Sequence, residues 1–97
     1  MSNIFEIKDK NGKEIRLTKE QWKHIRKKHP EVENTEEIEE TLKRPDKITF
    51  PKIDDTIGFY YKYFKNRPSP QNYLLVLVKY LNGDGYVITA YYEDKIA

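Results

Sequence analysis

The stretch NYLLVLVKYLNGDGYVITAYY, residues 72–92, contains the two strands on which the predicted fold depends. Residues 74–78 are continuously apolar, as in a strand that is covered on both faces. The sequence NGDG that follows is typical of a hairpin turn. In the next strand, a period of two predicts that Val87, Thr89 and Tyr91 share one face, with the intervening residues on the other.

Other segments of the chain supply further strands. The sequence IFEIKDKNGKEIRL, residues 4–17, alternates apolar and polar positions on both sides of an Asn-Gly step. This pattern predicts a short N-terminal hairpin or two edge strands. PDKITF at 45–50 and GFYYKYF at 58–64 are two more predicted strands.

Two helices are predicted between the N-terminal hairpin and these strands. Thr18 and Gln21 have capping-box spacing, so the first helix should begin at Lys19. Pro30 disfavours helical geometry at His29, where this helix should stop. A second capping-box pair, followed by an acidic first turn, opens another helix that ends in the basic sequence LKRP. The predicted fold class is therefore α+β, with two N-terminal helices packed on a roughly four-stranded antiparallel sheet and a short N-terminal hairpin.

Composition and charge limit the classes of protein to consider. The chain of 97 residues predicts a single domain over 1–97. It has no cysteine, which leaves no disulfide framework or thiolate metal site, and no apolar run as long as a membrane span. We therefore predict a cytoplasmic protein with no membrane partner. Residues 1–29 carry nine Lys or Arg against four Asp or Glu, a polarity that suits an anionic ligand on one face.

The sequence HIRKKHPEV, residues 24–32, contains both histidines of the chain. On a helical wheel, His29 shares a face with Ile25, Arg26 lies at the margin of that face, and His24 points roughly the opposite way. A spacing of five does not suit metal binding from one helix, and no thiolate is present to support it, so no metal site is predicted. Histidine can exchange protons near neutral pH, which makes His29 a candidate acid or base. The alternative is a histidine that only caps the last carbonyls of the helix.

Hydroxyl groups on the strands are candidates for binding phosphate. Thr89 and Tyr91 could both donate to a phosphate that a nearby lysine or arginine holds by charge. Tyr61 and Lys62 are candidate substrate contacts, because an exposed tyrosine can stack on an unpaired base. The alternative is that these tyrosines reflect only the strand preference of aromatic residues.

The order of several motifs resembles a known class of nucleases. W-K-H-I-x-x-x-H-P-E is followed by I-E-E-T-L-K-x-P-D-x-I, Y-L-L-V-L-V-K-Y and G-Y-V-I-T-A-Y. From Phe5 to Tyr91, this order is similar to the phage-barnase, EndoU, colicin and RelE-like class, abbreviated PBECR. The resemblance implies a BECR-like fold with two N-terminal helices on a four-stranded antiparallel sheet. It also implies metal-independent RNA cleavage of the toxin or phage-associated type, a reaction that needs no cofactor.

The resemblance further implies a site made of the two histidines, a basic residue and two strand hydroxyls. These residues are His24, His29, Thr89 and Tyr91, with Arg26 or Arg44 as the basic residue. In such a reaction a base takes the proton of a ribose 2′-hydroxyl, the oxygen attacks the adjacent phosphorus, and an acid protonates the leaving 5′-oxygen. His29 is the first candidate for one transfer, and Tyr91, Glu31 and His24 remain candidates for the other.

RNA is accordingly the predicted partner, and a cognate antitoxin or immunity protein would be a second one. Two other functions compete with cleavage. The chain could be a non-catalytic module that binds RNA or protein through its basic first third and its tyrosines. It could also be an inactive relative whose sheet serves only assembly.

Overall fold

A computed structural model describes residues 3–9, 11–67 and 70–96; the two ends of the predicted domain, residues 1–2 and 97, lie outside this part of the chain. The described residues form six strands and two helices. In chain order they are β1 (Asn3–Lys8), β2 (Glu14–Thr18), α1 (Lys19–Lys28), α2 (Thr35–Lys43), β3 (Lys47–Thr49), β4 (Ile57–Tyr63), β5 (Tyr73–Leu81) and β6 (Asp84–Glu93).

All six strands belong to one mixed sheet, in the order β1-β2-β6-β5-β4-β3. The predicted four-stranded antiparallel sheet, which the family resemblance also implied, is therefore wrong. The N-terminal hairpin extends the sheet because β2 pairs with β6 in parallel, through Ile15 with Gly85 and Arg16 with Tyr86. This pairing gives hydrogen-bond partners to backbone groups of β2 that the hairpin alone would leave unpaired. It also helps to bury Ile15 completely.

The two helices begin where their capping residues predict. The Oγ1 of Thr18 accepts a hydrogen bond from the backbone N–H of Gln21 at 3.1 Å, and the side chain of Asn34 accepts one from Glu37 N at 2.9 Å. α1 ends as expected before Pro30. Neither of these described helices is long and apolar enough to cross a membrane.

Both helices pack on the same face of the sheet and bury one core. α1 contributes Ile25, and α2 contributes Ile38 and Leu42. The remaining core residues are Phe5, Ile15, Leu17, Val32, Tyr60, Leu74, Val76, Val78, Val87, Ala90 and Tyr92. Side chains alternate along a strand, so the residues between these lie on the opposite side of the sheet. We call that side the open face; it carries Phe59, Tyr61, Tyr63, Tyr73, Leu75, Leu77, Thr89 and Tyr91.

A β-bulge at Ile88 reverses the alternation along β6. Val87 and Thr89 pair with consecutive residues of β5, so Ile88 between them has no pairing position of its own. Val87 is consequently buried in the core, whereas Thr89 and Tyr91 lie on the open face. The prediction that these three residues share one face is wrong, because a strict period of two cannot pass through the extra residue.

The turn between β1 and β2 is attached to the sheet by Asp9, which is only 7% exposed. The Asp9 carboxylate accepts hydrogen bonds from the hydroxyls of Tyr60 and Tyr80, each at 3.0 Å. It also accepts the backbone N–H groups of Asn11 at 2.8 Å and Lys13 at 2.9 Å. Burial raises the pKa of Tyr60 to about 12, so its hydroxyl keeps the proton that it donates. These bonds fix β2, and α1 follows β2 directly.

The loop between β3 and β4 is attached to β5 in a similar way. Asp54 accepts hydrogen bonds from the hydroxyl and the backbone N–H of Thr56 and, at 3.1 Å, from Lys79 Nζ. These bonds, with that of the Thr56 hydroxyl the largest cause, lower the pKa of Asp54 to about 2. The carboxylate is therefore charged at neutral pH.

Candidate functional site

An open cleft of about 420 Å³ lies between α1 and the bulged part of β6. β2 pairs with β6 only as far as Tyr86, so this next part of β6 is not covered by β2 and faces α1. The cleft is lined by Gln21, His24, Ile25, Lys28, His29, Ile88 and Thr89. The structure therefore brings both histidines and one of the predicted strand hydroxyls to a single cavity.

His29 is held at the end of α1 by three neighbours. It is the C-cap residue, and its backbone N–H donates to Ile25 O at 2.7 Å. Its ring stacks on that of Tyr91, with 5.0 Å between the centroids and 26° between the planes. Its Nδ1 lies 3.7 Å from Glu31 Oε2, an ion-pair distance if the ring is protonated. The imidazole is thus oriented but still partly exposed to a ligand in the cleft.

Tyr91 supports His29 as a neutral ring with a hydroxyl donor. Burial raises the pKa of Tyr91, and the nearby Glu93 and Tyr61 raise it further. Tyr91 therefore stays protonated at neutral pH and can donate a hydrogen bond, but it cannot serve there as a base.

His24 lines the same cleft as His29, although the helical wheel places them on roughly opposite sides of α1. The wheel indicates directions from the helix axis, whereas the cleft runs along α1 from Gln21 to His29. A cavity of that length can receive side chains that project in different directions. Of the three candidates for the second proton transfer, His24 is the one that lines the cleft together with His29.

Sequence reasoning missed three lining residues, namely Gln21, Lys28 and Ile88. We expected Gln21 only as a capping residue, but its side-chain amide donates to the carbonyl of Ile88 and so joins α1 to the bulge. Lys28 is four residues after His24, a spacing that places the two on neighbouring turns of the helix surface. This spacing is a signal that could have identified Lys28.

The two predicted phosphate-binding arginines do not line the cleft. Arg26 donates to Pro30 O at 2.5 Å and to Val32 O at 2.9 Å, so it binds the segment between the helices. Arg44 is exposed, and its guanidinium pairs with Glu40 at 2.6 Å within α2. Among the cleft residues the structure describes, the cation is instead Lys28.

The other two predicted substrate contacts also lie elsewhere. Tyr61 is on the open face but only 1% exposed, so its ring is not accessible to a base. Lys62 Nζ donates to Arg44 O at 2.9 Å, which places it near the end of α2.

A row of cations lies on the solvent-exposed side of α1. Lys19, Lys23 and Lys27 are exposed and are spaced four residues apart, so they follow one side of the helix. Lys23 and Lys27 line a second, smaller depression together with His24 and Glu20. Such a row attracts anions to α1 near His24. Among the described residues, no group of three or more His, Cys, Asp or Glu side chains is placed to hold a metal ion.

No family model, curated protein or solved structure matches this chain. The resemblance to the PBECR class stays a prediction, and the function has to be argued from the cleft.

Proposed function

We propose that this protein is a metal-independent endoribonuclease that cleaves RNA by attack of a 2′-hydroxyl and leaves a cyclic phosphate. The observation that supports this proposal is that His24, His29, Lys28 and Thr89 all line one open cleft. Transesterification needs one group to remove a proton and another to supply one. Two histidines beside a lysine and a hydroxyl are a sufficient set for that chemistry.

Each lining residue has a role in this mechanism. His24 and His29 divide the two proton transfers between them. Lys28 holds the phosphate by charge and stabilises the negative charge that builds on its non-bridging oxygens. Thr89 donates a hydrogen bond to the same oxygens from a strand, which is a rigid support. Tyr91 acts as a positioning residue through its stack on His29.

The proposal includes a setting for the reaction. We assign the protein to the cytoplasm, where RNA is available as substrate. A cognate antitoxin or immunity protein would block the reaction by covering the cleft between α1 and β6.

The principal alternative is a module that binds RNA without cleaving it. The observation that favours it is the lysine row of α1, which suits the phosphate backbone of any nucleic acid. Both functions would give RNA binding that weakens as the salt concentration rises. Only turnover of the RNA distinguishes them.

Cleavage of a mixed RNA pool in the presence of a chelator tests the proposal. We expect products with cyclic phosphate ends, and no cleavage of a strand with 2′-hydrogen at the scissile nucleotide. His29→Phe keeps a ring that can stack on Tyr91 but cannot transfer a proton. We expect it to lower the rate by roughly 10²–10⁴-fold, the usual contribution of a positioned acid or base.

Two lysine variants serve as a matched pair. Lys28→Ala should slow cleavage, whereas Lys52→Ala, which removes an exposed lysine outside the cleft, should leave the rate unchanged. The nuclease proposal fails if RNA stays intact, if DNA of the same sequence is cut equally well, or if magnesium is required. It also fails in its assignment of His29 if folded His29→Phe cleaves at the normal rate.

A further inference from the structure

The open face carries exposed aromatic side chains that the proposed cleavage does not use. Tyr63 is 49% exposed, and its ring meets that of Tyr73 edge to face with 5.4 Å between the centroids. Tyr61 and Leu75 pair with each other one row nearer the cleft and are buried, so this row presents no ring of its own to a ligand. Tyr91 pairs with Leu75 and completes this second row.

The cleft and the open face are continuous. Thr89 lines the cleft and also lies on the open face, and Tyr91 is two residues further along the same strand. Because a strand rises about 3.3 Å per residue, Tyr91 is about 6.6 Å beyond Thr89, and the row of Tyr63 and Tyr73 is about 6.6 Å beyond that. A ligand that passes through the cleft can therefore extend across these rings.

The charges around this surface indicate which part of the ligand lies where. Lys28 lines the cleft, and Lys23 and Lys27 line a neighbouring depression of α1 together with His24 and Glu20. On the open face, Glu93 pairs with Tyr73 at the far row, where a carboxylate would repel a phosphate, and the exposed Lys47 lies one row nearer on β3, opposite Tyr61. Phosphates therefore belong beside α1, and uncharged, planar groups belong over the tyrosine pair.

We infer that the substrate is single-stranded RNA whose phosphates lie along α1 while its unpaired bases stack on Tyr63 and Tyr73. This inference rests on the proposed function for the cleft and adds the strand state of the substrate. Aromatic rings bind bases of any sequence, because every base has a π-face. In a duplex the bases are paired and stacked on one another, so they cannot reach the rings.

A binding experiment with RNA that cannot be cleaved tests this inference. The probe is a fluorescent 2′-O-methyl RNA of about 12 nucleotides, a length within the range of single-strand binding sites. This probe keeps bases and phosphates but lacks the attacking hydroxyl. We expect the full chain to bind the single strand at least about 10-fold more tightly than the same strand annealed to its complement.

Three variants locate the contact. Tyr63→Ala should lower the affinity roughly 10-fold, the usual effect of deleting one stacking ring, and Tyr63→Phe should retain it. Phe50→Ala is the matched control, because Phe50 is 50% exposed and lies beside Tyr80 on the side of the sheet that carries the helices. It should bind like the wild type.

The inference is overturned if the duplex binds as well as the single strand, or if Tyr63→Ala and Phe50→Ala behave alike. The inference would also be overturned if the open face bound a protein and the chain showed no affinity for RNA. Cleavage of unmodified RNA, measured in parallel, separates the two proposals. Cleavage without single-strand preference refutes only the stacking surface, and single-strand binding without cleavage refutes only the nuclease.

Discussion

Replacing Asp9 with alanine should weaken the attachment of the N-terminal hairpin and lower the stability of the whole domain. The carboxylate accepts four hydrogen bonds, and bonds to a charged group contribute about 1.5–3 kcal/mol each. The full sum does not apply, because the exposed Asn11 and Lys13 can turn their N–H groups to water. The hydroxyls of Tyr60 and Tyr80 also contact each other, so one of them keeps a partner.

The one bond lost outright would correspond to about 1.5–3 kcal/mol. For a domain of this size, that change should lower the melting temperature by about 6–24 °C. Urea unfolding followed by circular dichroism would measure the free energy directly. Asp9→Asn keeps an oxygen acceptor for the turn, and it should lose only about 1–2 kcal/mol.

A hydroxyl deletion checks the same network from the other side. Tyr80→Phe removes one donor and keeps the ring, so it should cost about 1 kcal/mol. If Asp9→Ala unfolds within about 1 kcal/mol of the wild type, the carboxylate does not hold the hairpin and the reasoning is wrong.

Three further outcomes are expected. Gly85→Ala would place a Cβ 2.9 Å from a methyl group of Val78, so urea unfolding should show a loss of about 1–3 kcal/mol; wild-type stability would contradict the close packing. Thr18→Ala removes the N-cap of α1 and should cost about 1 kcal/mol in the same assay, whereas Thr18→Ser should cost much less. Hydrogen bonds, of which the one from the Thr56 hydroxyl has the largest effect, lower the pKa of Asp54 from 3.8 to about 2. The ionised Asp54 carboxylate therefore contributes fully to the stability of the fold above pH 3.8, and this contribution is lost as the pH falls toward 2. The stability difference between the wild type and Asp54→Asn should therefore disappear over that interval in an acid titration, and a difference that stays constant would refute the assignment.

The helices were predictable because their signals act within a few residues. Thr18 and Asn34 each bond to a backbone N–H three positions further on, and Pro30 restricts the residue directly before it. These interactions need no knowledge of the rest of the fold.

The sheet was predicted less well because its order depends on contacts between distant segments. Nothing local in EIRLT indicates that β2 pairs in parallel with β6. The bulge at Ile88 is similar, because VITAY fits a strict alternation as well as an interrupted one. One unpaired residue was enough to separate Val87 from Thr89.

The candidate site was only partly predictable for a related reason. Histidines attract attention by their chemistry, so His29 was a candidate from the sequence itself, whereas His24 was added by the family resemblance. Whether a lysine or arginine is available to bind a ligand depends on which hydrogen-bond acceptors surround it in the folded chain. Arg26 finds backbone carbonyls and Arg44 finds a carboxylate, whereas Lys28 lines the cleft.

The parallel pairing of β2 with β6 has a consequence for the order in which the molecule can form. Arg16 and its partner Tyr86 are 70 positions apart, so the contact closes a long loop and adds to the slow, non-local part of folding. During synthesis, β1, β2 and both histidines leave the ribosome well before β6 exists. The growing chain then has an unpaired β2 edge, which can associate with other chains. Because β6 forms one wall of the cleft, the nascent chain carries its histidines without the cavity that brings them together.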